Sequence, residues 1–363
     1  MGQRLQNLRD TFKEHKLDGI LVSSPENRRY LSGFTGSAGH LIITRNDAIL
    51  ATDFRYIEQS STQAPEFRIV RTGSNFDWLN QVLAETGVTR LGFENDVLTV
   101  AQHTRFTKAL KEYSQSAKAR VRFVGTSGIT EEIRSFKDES ELALLQKAIS
   151  ISDHAMDSVT PTIKAGQTEQ EVAWRLEVAM RELGAESLAF DIIVGSGPNA
   201  ALPHHRAGER VIQEGEPIVI DMGAKYQGYC SDLTRTIALG DVDDTFRRVY
   251  DTVLGAQLTA ITTVQVGMTG SEADGLARKV IEDAGYGENF GHGLGHGVGL
   301  AVHELPVAGP TSKGVLKEGT AFTIEPGIYI PGWGGVRIED VVTLEESGAR
   351  VLSEAKKLGR TGD

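Results

Sequence analysis

The sequence predicts an α/β layer domain followed by an α+β domain built from two related halves, and three observations carry the prediction. Over residues 1 to about 125, short apolar runs alternate with helical patterns. Beyond Glu139, helices precede strands. Finally, the segment Glu214-Gly215-Glu216-Pro217-Ile218-Val219-Ile220-Asp221-Met222-Gly223 reappears 104 residues later as Glu318-Gly319-Thr320-Ala321-Phe322-Thr323-Ile324-Glu325-Pro326-Gly327, with an acid in the same place. A second echo, Gly166-Gln167-Thr168 with Glu171 and Gly184, matches Gly267-Met268-Thr269 with Glu272 and Gly285 at an offset of 101. Two helix-plus-hairpin halves of this kind would face one another across a pseudo-twofold axis and bring their acids together.

In chain order, Leu5, Leu8, Phe12 and Leu17 are interrupted by Arg4, Arg9, Asp10, Lys13 and Glu14. That pattern reads as an amphipathic helix rather than a secretory leader. Strand-like runs follow at Gly19 to Val22, His40 to Ile43, Ala48 to Ala51 and Arg68 to Val70, with a helical pattern from Trp78 to Glu85. Gly125 to Asp138 carries glycines, serine and charges, and reads as a linker. The expected division is 1–127, a linker at 128–138, and 139–363. The second domain opens on a helix with Leu142, Leu145 and Ile149. Its next helix begins Thr168-Glu169-Gln170-Glu171, the spacing of a capping box, and the stripe Val172, Leu176, Met180, Leu183 runs to Gly184. The related helix from Ser271 carries Ala273, Leu276, Val280 and Ile281 and stops at Gly285.

With 363 residues, each domain can bury its own core. A formal charge of -11, with no basic cluster, argues against nucleic acid or anionic membrane as partner. No apolar run reaches the roughly 18 to 20 residues of a membrane span. The single cysteine, Cys230, cannot form an intrachain disulfide, so a cytoplasmic location is expected. Cys230 itself reads as a small buried residue. Gly33-Phe34-Thr35-Gly36-Ser37-Ala38-Gly39 lacks the Gly-Lys-Ser/Thr ending and following helix of a phosphate loop, and reads as structural.

The acids are the informative residues. Asp221 and Asp232 end and begin two strand-like runs; a turn centred near Tyr226 and Gln227 places them opposite each other on a hairpin. An isolated pair of this kind can be solvated edge acids, but Asp221 follows an apolar run, where an unpaired carboxylate is costly. Glu325 and Glu339 repeat the arrangement around Pro331-Gly332-Trp333-Gly334, with Arg337 on the face of Glu339 because strand side chains alternate. Four acids on two duplicated hairpins are hard to explain as surface charge. Gly291-His292-Gly293-Leu294-Gly295-His296-Gly297-Val298-Gly299 has glycine at alternate positions, so the backbone can approach a site closely. His292 and His296 lie four apart without the glutamate of a zincin helix. Together with His303, His204-His205 and the four acids, they point to a metal site rather than to isolated structural histidines.

The order Asp221, Asp232, His296, Glu325, Glu339 resembles the five-ligand signature of the pita-bread metallopeptidases, which comprise methionine aminopeptidase, aminopeptidase P (Xaa-Pro aminopeptidase), prolidase (Xaa-Pro dipeptidase) and the metal-free creatinase. Ser231-Asp232-Leu233-Thr234-Arg235-Thr236, Gly295-His296-Gly297 with Val302-His303-Glu304, Thr323-Ile324-Glu325-Pro326-Gly327-Ile328-Tyr329 and Gly335-Val336-Arg337-Ile338-Glu339-Asp340 are similar to its proline-specific branch. Tyr30 to Gly39 and Thr52-Asp53-Phe54-Arg55-Tyr56 are similar to aminopeptidase P N-terminal domains.

The resemblance implies a creatinase-like α/β N-terminal domain and an α+β pita-bread catalytic domain. It implies two divalent metal ions held by Asp221, Asp232, His296, Glu325 and Glu339, with Asp232 and Glu339 bridging. An oxygen-rich set with one imidazole favours manganese, with cobalt or zinc as alternatives. Glu325 is the expected general base. His204 falls where the family has a substrate-binding histidine, with His205 beside it; here His205-Arg206 follows where many relatives have glycine. His292 and His303 are expected at the scissile carbonyl, and Tyr329 and Arg337 in the pocket. The implied activity is hydrolysis of the N-terminal X-Pro bond of peptides by a homodimer. A prolidase restricted to dipeptides is the nearest alternative, and a silent binding module or a creatinase-like hydrolase the more distant ones.

Overall fold

The computed structural model describes residues 2–357 and 359, which divide into two units, one ending at Arg134 and the other beginning at Ser135. In the first unit, the run Gly19–Val22 (β1) is buried at all four positions, as expected of a strand covered on both faces. It lies inside a six-stranded sheet with β2 (His40–Thr44), β3 (Ala48–Thr52), β4 (Arg68–Arg71), β5 (Arg90–Glu94) and β6 (Arg122–Thr126), in the order β4-β3-β2-β1-β5-β6. The helices are α1 (Gly2–Thr11), α2 (Pro25–Ser32), α3 (Ile57–Gln63), α4 (Asp77–Thr86), α5 (Val100–Ser116) and α6 (Ile129–Ser135). The α/β expectation therefore holds, and Leu5, Leu8, Phe12 and Leu17 are all buried.

Several elements of this unit were not visible as periodic patterns. Helix α5 buries only Phe106, Ala109 and Leu110, too sparse a stripe to announce itself, although a Thr99–Gln102 capping box starts it. Helix α6 occupies most of the stretch read as a linker. The glycine-rich loop after α2 is structural: Gly33 caps α2 at φ 79°, and buried Arg28 donates to the carbonyls of Gly36 (2.6 Å) and Gly39 (2.8 Å).

The second unit shows its duplication in the backbone. Its first half contains α7 (Glu139–Val159), α8 (Glu169–Glu182), β7 (Ser187–Leu188), β8 (Ile193–Ser196), β9 (Ile218–Met222), β10 (Ala224–Tyr226), β11 (Tyr229–Cys230) and β12 (Leu233–Ile237). The second half contains α9 (Asp244–Thr263), α10 (Gly270–Asp283), β13 (Gly295–Gly297), β14 (Glu304–Ala308), β15 (Ala321–Ile324), β16 (Gly327–Ile330), β17 (Gly334–Arg337), β18 (Asp340–Glu345) and β19 (Gly348–Val351). Capping boxes Thr168–Glu171 and Thr269–Glu272 start α8 and α10. Gly166 and Gly267 both take φ 95°, and their amides donate to Ile212 and Leu316 at 3.0 and 2.9 Å. Gly215 (φ 78°) and Gly319 (φ 81°) likewise donate to Leu239 and Leu344, each at 2.8 Å. Glycine is required at such positions because other residues pay for a left-handed backbone.

Each half also has its own core: Val172, Leu176 and Met180 pack with Ile218, Ile220 and Met222 in the first, and Ala273, Ala277 and Ile281 with Phe322 and Ile324 in the second. Side chains of the larger kind contribute about 1.5–3 kcal/mol each when fully buried. Leu183, expected on the buried stripe of α8, is instead 41% exposed, because the helix has ended before it can turn inward. Among the described residues, no helix is long and apolar enough to cross a membrane.

Register places the acids. Strands β15 and β18 pair Ile324 with Asp340, and β16 and β17 pair Gly327 with Arg337. The same register on both sides sets Glu325 opposite Glu339, as the hairpin reading expected. The first hairpin differs by one step. Its turn is Gln227–Gly228, with φ 44° and 85°, so Tyr226 pairs with Tyr229 and Asp221 pairs with Thr234 rather than with Asp232. Asp232, two residues before Thr234, stays on the same face and lies diagonal to Asp221. Thr234, not Asp232, is thus the positional counterpart of Glu339.

Candidate metal centre

The two hairpins deliver their side chains to one cleft of about 930 Å³, lined by Asp221, Asp232, His204, His205, His292, His296, His303, Glu325, Tyr329, Arg337 and Glu339. Every residue singled out from the sequence is therefore present. Asp232 and Glu339 are buried, Asp221 and Glu325 half-buried, and His204 and His303 exposed to the cleft.

Asp232, His296 and Glu339 each offer a ligand atom within 4.8 Å of the others. His296 Nε2 lies 3.3 Å from Glu325 Oε1 and 3.6 Å from Asp232 Oδ2. Its Nδ1 sits 3.1 Å from the Gly297 carbonyl, which can only accept, so Nδ1 carries the hydrogen. Nε2 therefore points at the acids; burial opposes its charge, but the hydrogen bond to Glu325 and that carboxylate's charge prevail and raise the imidazole above its ordinary pKa, and release of that proton would leave the Nε2 lone pair that a metal ligand needs. Asp221 is paired with Arg337, which donates to its Oδ2 at 2.6 Å, and its buried Oδ1 takes no hydrogen bond.

The acids perturb one another. Burial, then the negative charge of Glu339, pushes Asp232 well above the usual carboxylate range. Burial, then Glu325 and Asp221, does the same to Glu339. Burial also raises Asp221, against the pull of Arg337. Glu325 is the exception. Burial would raise it, but the hydrogen bond and charge of His296 outweigh burial and hold it below its ordinary value. Buried carboxylates that repel one another, an open Asp221 oxygen and an imidazole nitrogen among them together form a donor set that fits divalent cations.

Two residues beyond the sequence-derived set shape this centre. Thr234 Oγ1 donates to Glu339 Oε2 at 2.7 Å and accepts from Arg337 Nε at 3.1 Å, so one hydroxyl of the first hairpin bridges an acid and a cation two residues apart on the second. Strand alternation puts Thr234 on the face of Asp232, which was the available signal. Arg337 also donates to the Tyr329 hydroxyl at 2.8 Å, leaving that hydroxyl's hydrogen for His292 Nε2 at 2.8 Å. His292 Nδ1 faces the Gly293 carbonyl at 2.8 Å, so both ring nitrogens are engaged. This modifies the expected oxyanion role of His292: its ring has no free hydrogen to donate, and burial holds its pKa below the usual histidine value. His303 meets the His296 ring edge-on at 4.1 Å and has the cleft before it. Both histidines of the neighbouring pair line the cleft, and His205 is held by Glu169 at 2.7 Å. The second missed residue is Glu169, which no local pattern distinguishes from an ordinary helix-start acid.

The chain is similar to known proteins. Residues 143–346 match the sequence profile of Metallopeptidase family M24, and residues 4–136 match that of the Creatinase/Prolidase N-terminal domain. The chain is 39% identical to the uncharacterized peptidase YqhT of Bacillus subtilis (strain 168), over 98% of each protein. Among solved structures, it resembles an Xaa-Pro dipeptidase from Bacillus anthracis with a TM-score of 0.94 and 43% identity, covering 99% of both chains. It also resembles an X-Pro aminopeptidase from Thermotoga maritima MSB8 with a TM-score of 0.87 and 36% identity, covering 98% of this chain and 99% of the other.

Proposed function

The chain belongs to metallopeptidase family M24, and from that premise we propose that it is an Xaa-Pro aminopeptidase, hydrolysing the bond between the first residue of a peptide and a proline in second place. The observation that carries this reading is the convergence of four acids and one correctly oriented imidazole on a single cleft. Asp221, Asp232, His296, Glu325 and Glu339 would hold two divalent ions, manganese first and cobalt or zinc as alternatives, and such ions supply Lewis-acid polarisation and an acidified water.

The protein's own groups do the rest. Glu325, kept ionised by its histidine neighbours, takes a proton from the attacking water. The nitrogen of an X-Pro bond carries no hydrogen, so the proton must be delivered to it as it leaves, and Glu325 passes on the one it took from the water. His303 donates to the developing oxyanion. His204 approaches the proline side, while Tyr329, Arg337 and Thr234 keep Asp221, His292 and Glu339 in place. On this reading residues 1–127 form the creatinase-like domain and 139–363 the catalytic domain of a cytoplasmic homodimer.

The test is a peptide-length series on chelator-treated protein to which manganese, cobalt or zinc is restored. Restored release of the first residue from X-Pro-Y peptides is the expected result. Full turnover without metal would refute the metallopeptidase chemistry. Cleavage of X-Pro but not of X-Pro-Y would favour the second reading, a prolidase, which the 43% identity to a dipeptidase supports.

A further inference from the structure

Glu169 is the first residue of α8, and its side chain does not belong to the capping box that starts that helix. It turns inward and is 0% exposed. A buried carboxylate needs donors, and this one has five. Its Oε1 accepts from the Ser196 amide (2.8 Å), the Ser196 hydroxyl (2.9 Å) and Asn199 Nδ2 (3.0 Å). Its Oε2 accepts from His205 Nε2 (2.7 Å) and the Gly208 amide (3.4 Å), with Asn199 Nδ2 also within 3.2 Å. Burial would raise this carboxyl, but the bonds from His205, Ser196 and Asn199 prevail and hold it below its ordinary value.

The donors share one property: all lie between the end of β8 and Gly208, on the segment that carries Pro203 and His204 to the cleft. The duplicated half provides a control. The position equivalent to Glu169 is Gly270, which also follows a capping threonine, and a Cβ there would meet the Val307 carbonyl at 2.0 Å. Starting the helix therefore does not require the acid. The acid is found in the half whose 196–208 segment carries His204 and His205, and not in the half that brings His292, His296 and His303 to the same cleft.

We infer that Glu169 is a positioning residue for substrate binding: through His205, Ser196, Asn199 and Gly208 it fixes the 196–208 segment so that His204 is held against the proline side of the substrate. This rests on the proposed X-Pro hydrolysis. The experiment compares steady-state kinetics of Glu169→Gln, His205→Ala, His205→Gln, His204→Ala and the Glu169→Gln/His204→Ala double variant at matched metal content. Glu169→Gln is expected to raise KM about tenfold, the effect of losing a charge-assisted hydrogen bond, with a smaller change in kcat. His205→Ala should do the same, and His205→Gln, whose amide reaches the same oxygen, should recover most of the loss. If Glu169 acts through His204, the double variant is no worse than His204→Ala alone. Additive losses, or a fall in kcat with KM unchanged, would overturn the inference. If Glu169→Gln does not fold, the two His205 variants decide it.

Wild-type turnover in the same assay tests the proposed function separately. Histidine-ring NMR provides a readout independent of turnover: the His204 signals should move in Glu169→Gln, and unchanged signals would refute the positioning role even in a protein that cleaves no X-Pro peptide.

Discussion

The two hairpins of the catalytic unit share a fold but not a chemistry. In the second, Glu325 stands opposite Glu339; in the first, Asp221 stands opposite the hydroxyl of Thr234, and the other acid is displaced two residues to Asp232. The backbone preserved the repeat through paired glycine angles and capping boxes, while the side chains diverged where they meet the cleft. Architecture and reactivity are thus set by different residues of the same repeat. The contact between the halves shows how they were reconciled: the Thr234 hydroxyl donates to Glu339, and the Glu339 amide donates to the Thr234 carbonyl at 3.1 Å.

Five substitutions probe this comparison. Glu325→Gln removes the acid of the metal centre that is held below its ordinary pKa, and should lower kcat by roughly 10²-fold or more, as loss of a general base does. Near-normal turnover at matched metal content would show that the second hairpin does not supply the base. His303→Ala should cost on the order of 10² in kcat/KM if it serves the oxyanion; an effect confined to KM would assign it to binding instead. Thr234→Val keeps the shape but deletes the bridge between hairpins, and about a tenfold loss of activity is expected from a hydrogen bond to a charged group. Finally, Thr168→Ala and Thr269→Ala delete equivalent caps, and chemical denaturation should show each destabilising the protein by about 1 kcal/mol. Unequal losses would mean that the halves share a shape without sharing its energetics.

Much of this was legible beforehand because its physics is local. The capping boxes, the glycines that end α8 and α10, and the echo of Ile218 to Asp221 in Phe322 to Glu325 all follow from spacing along the chain. The hairpin register of the first half was misplaced by one residue, although Gln227–Gly228, with glycine at the second central position, was the available signal for the turn. What could not be read depends on distant partners. Nothing in the vicinity of Arg235 announces that it will be buried against Asp340, 105 positions away, at 2.7 Å, or that Lys357 joins the same carboxylate. Nor does the pair His204-His205 reveal which ring is already engaged until Glu169 is seen beneath it.

The one-step difference between the hairpins has a consequence for substrate direction. A cleft of perfect twofold symmetry would accept a peptide equally well running either way, because rotating the site would regenerate it. Here one half contributes His292, His296 and His303 and the other His204 and His205, and a hydroxyl faces an acid across the axis. Rotation no longer reproduces the site, so the amino end and the proline end of a bound chain meet different surroundings. The slip from Asp232 to Thr234 is part of what lets a duplicated scaffold read a peptide in one sense only.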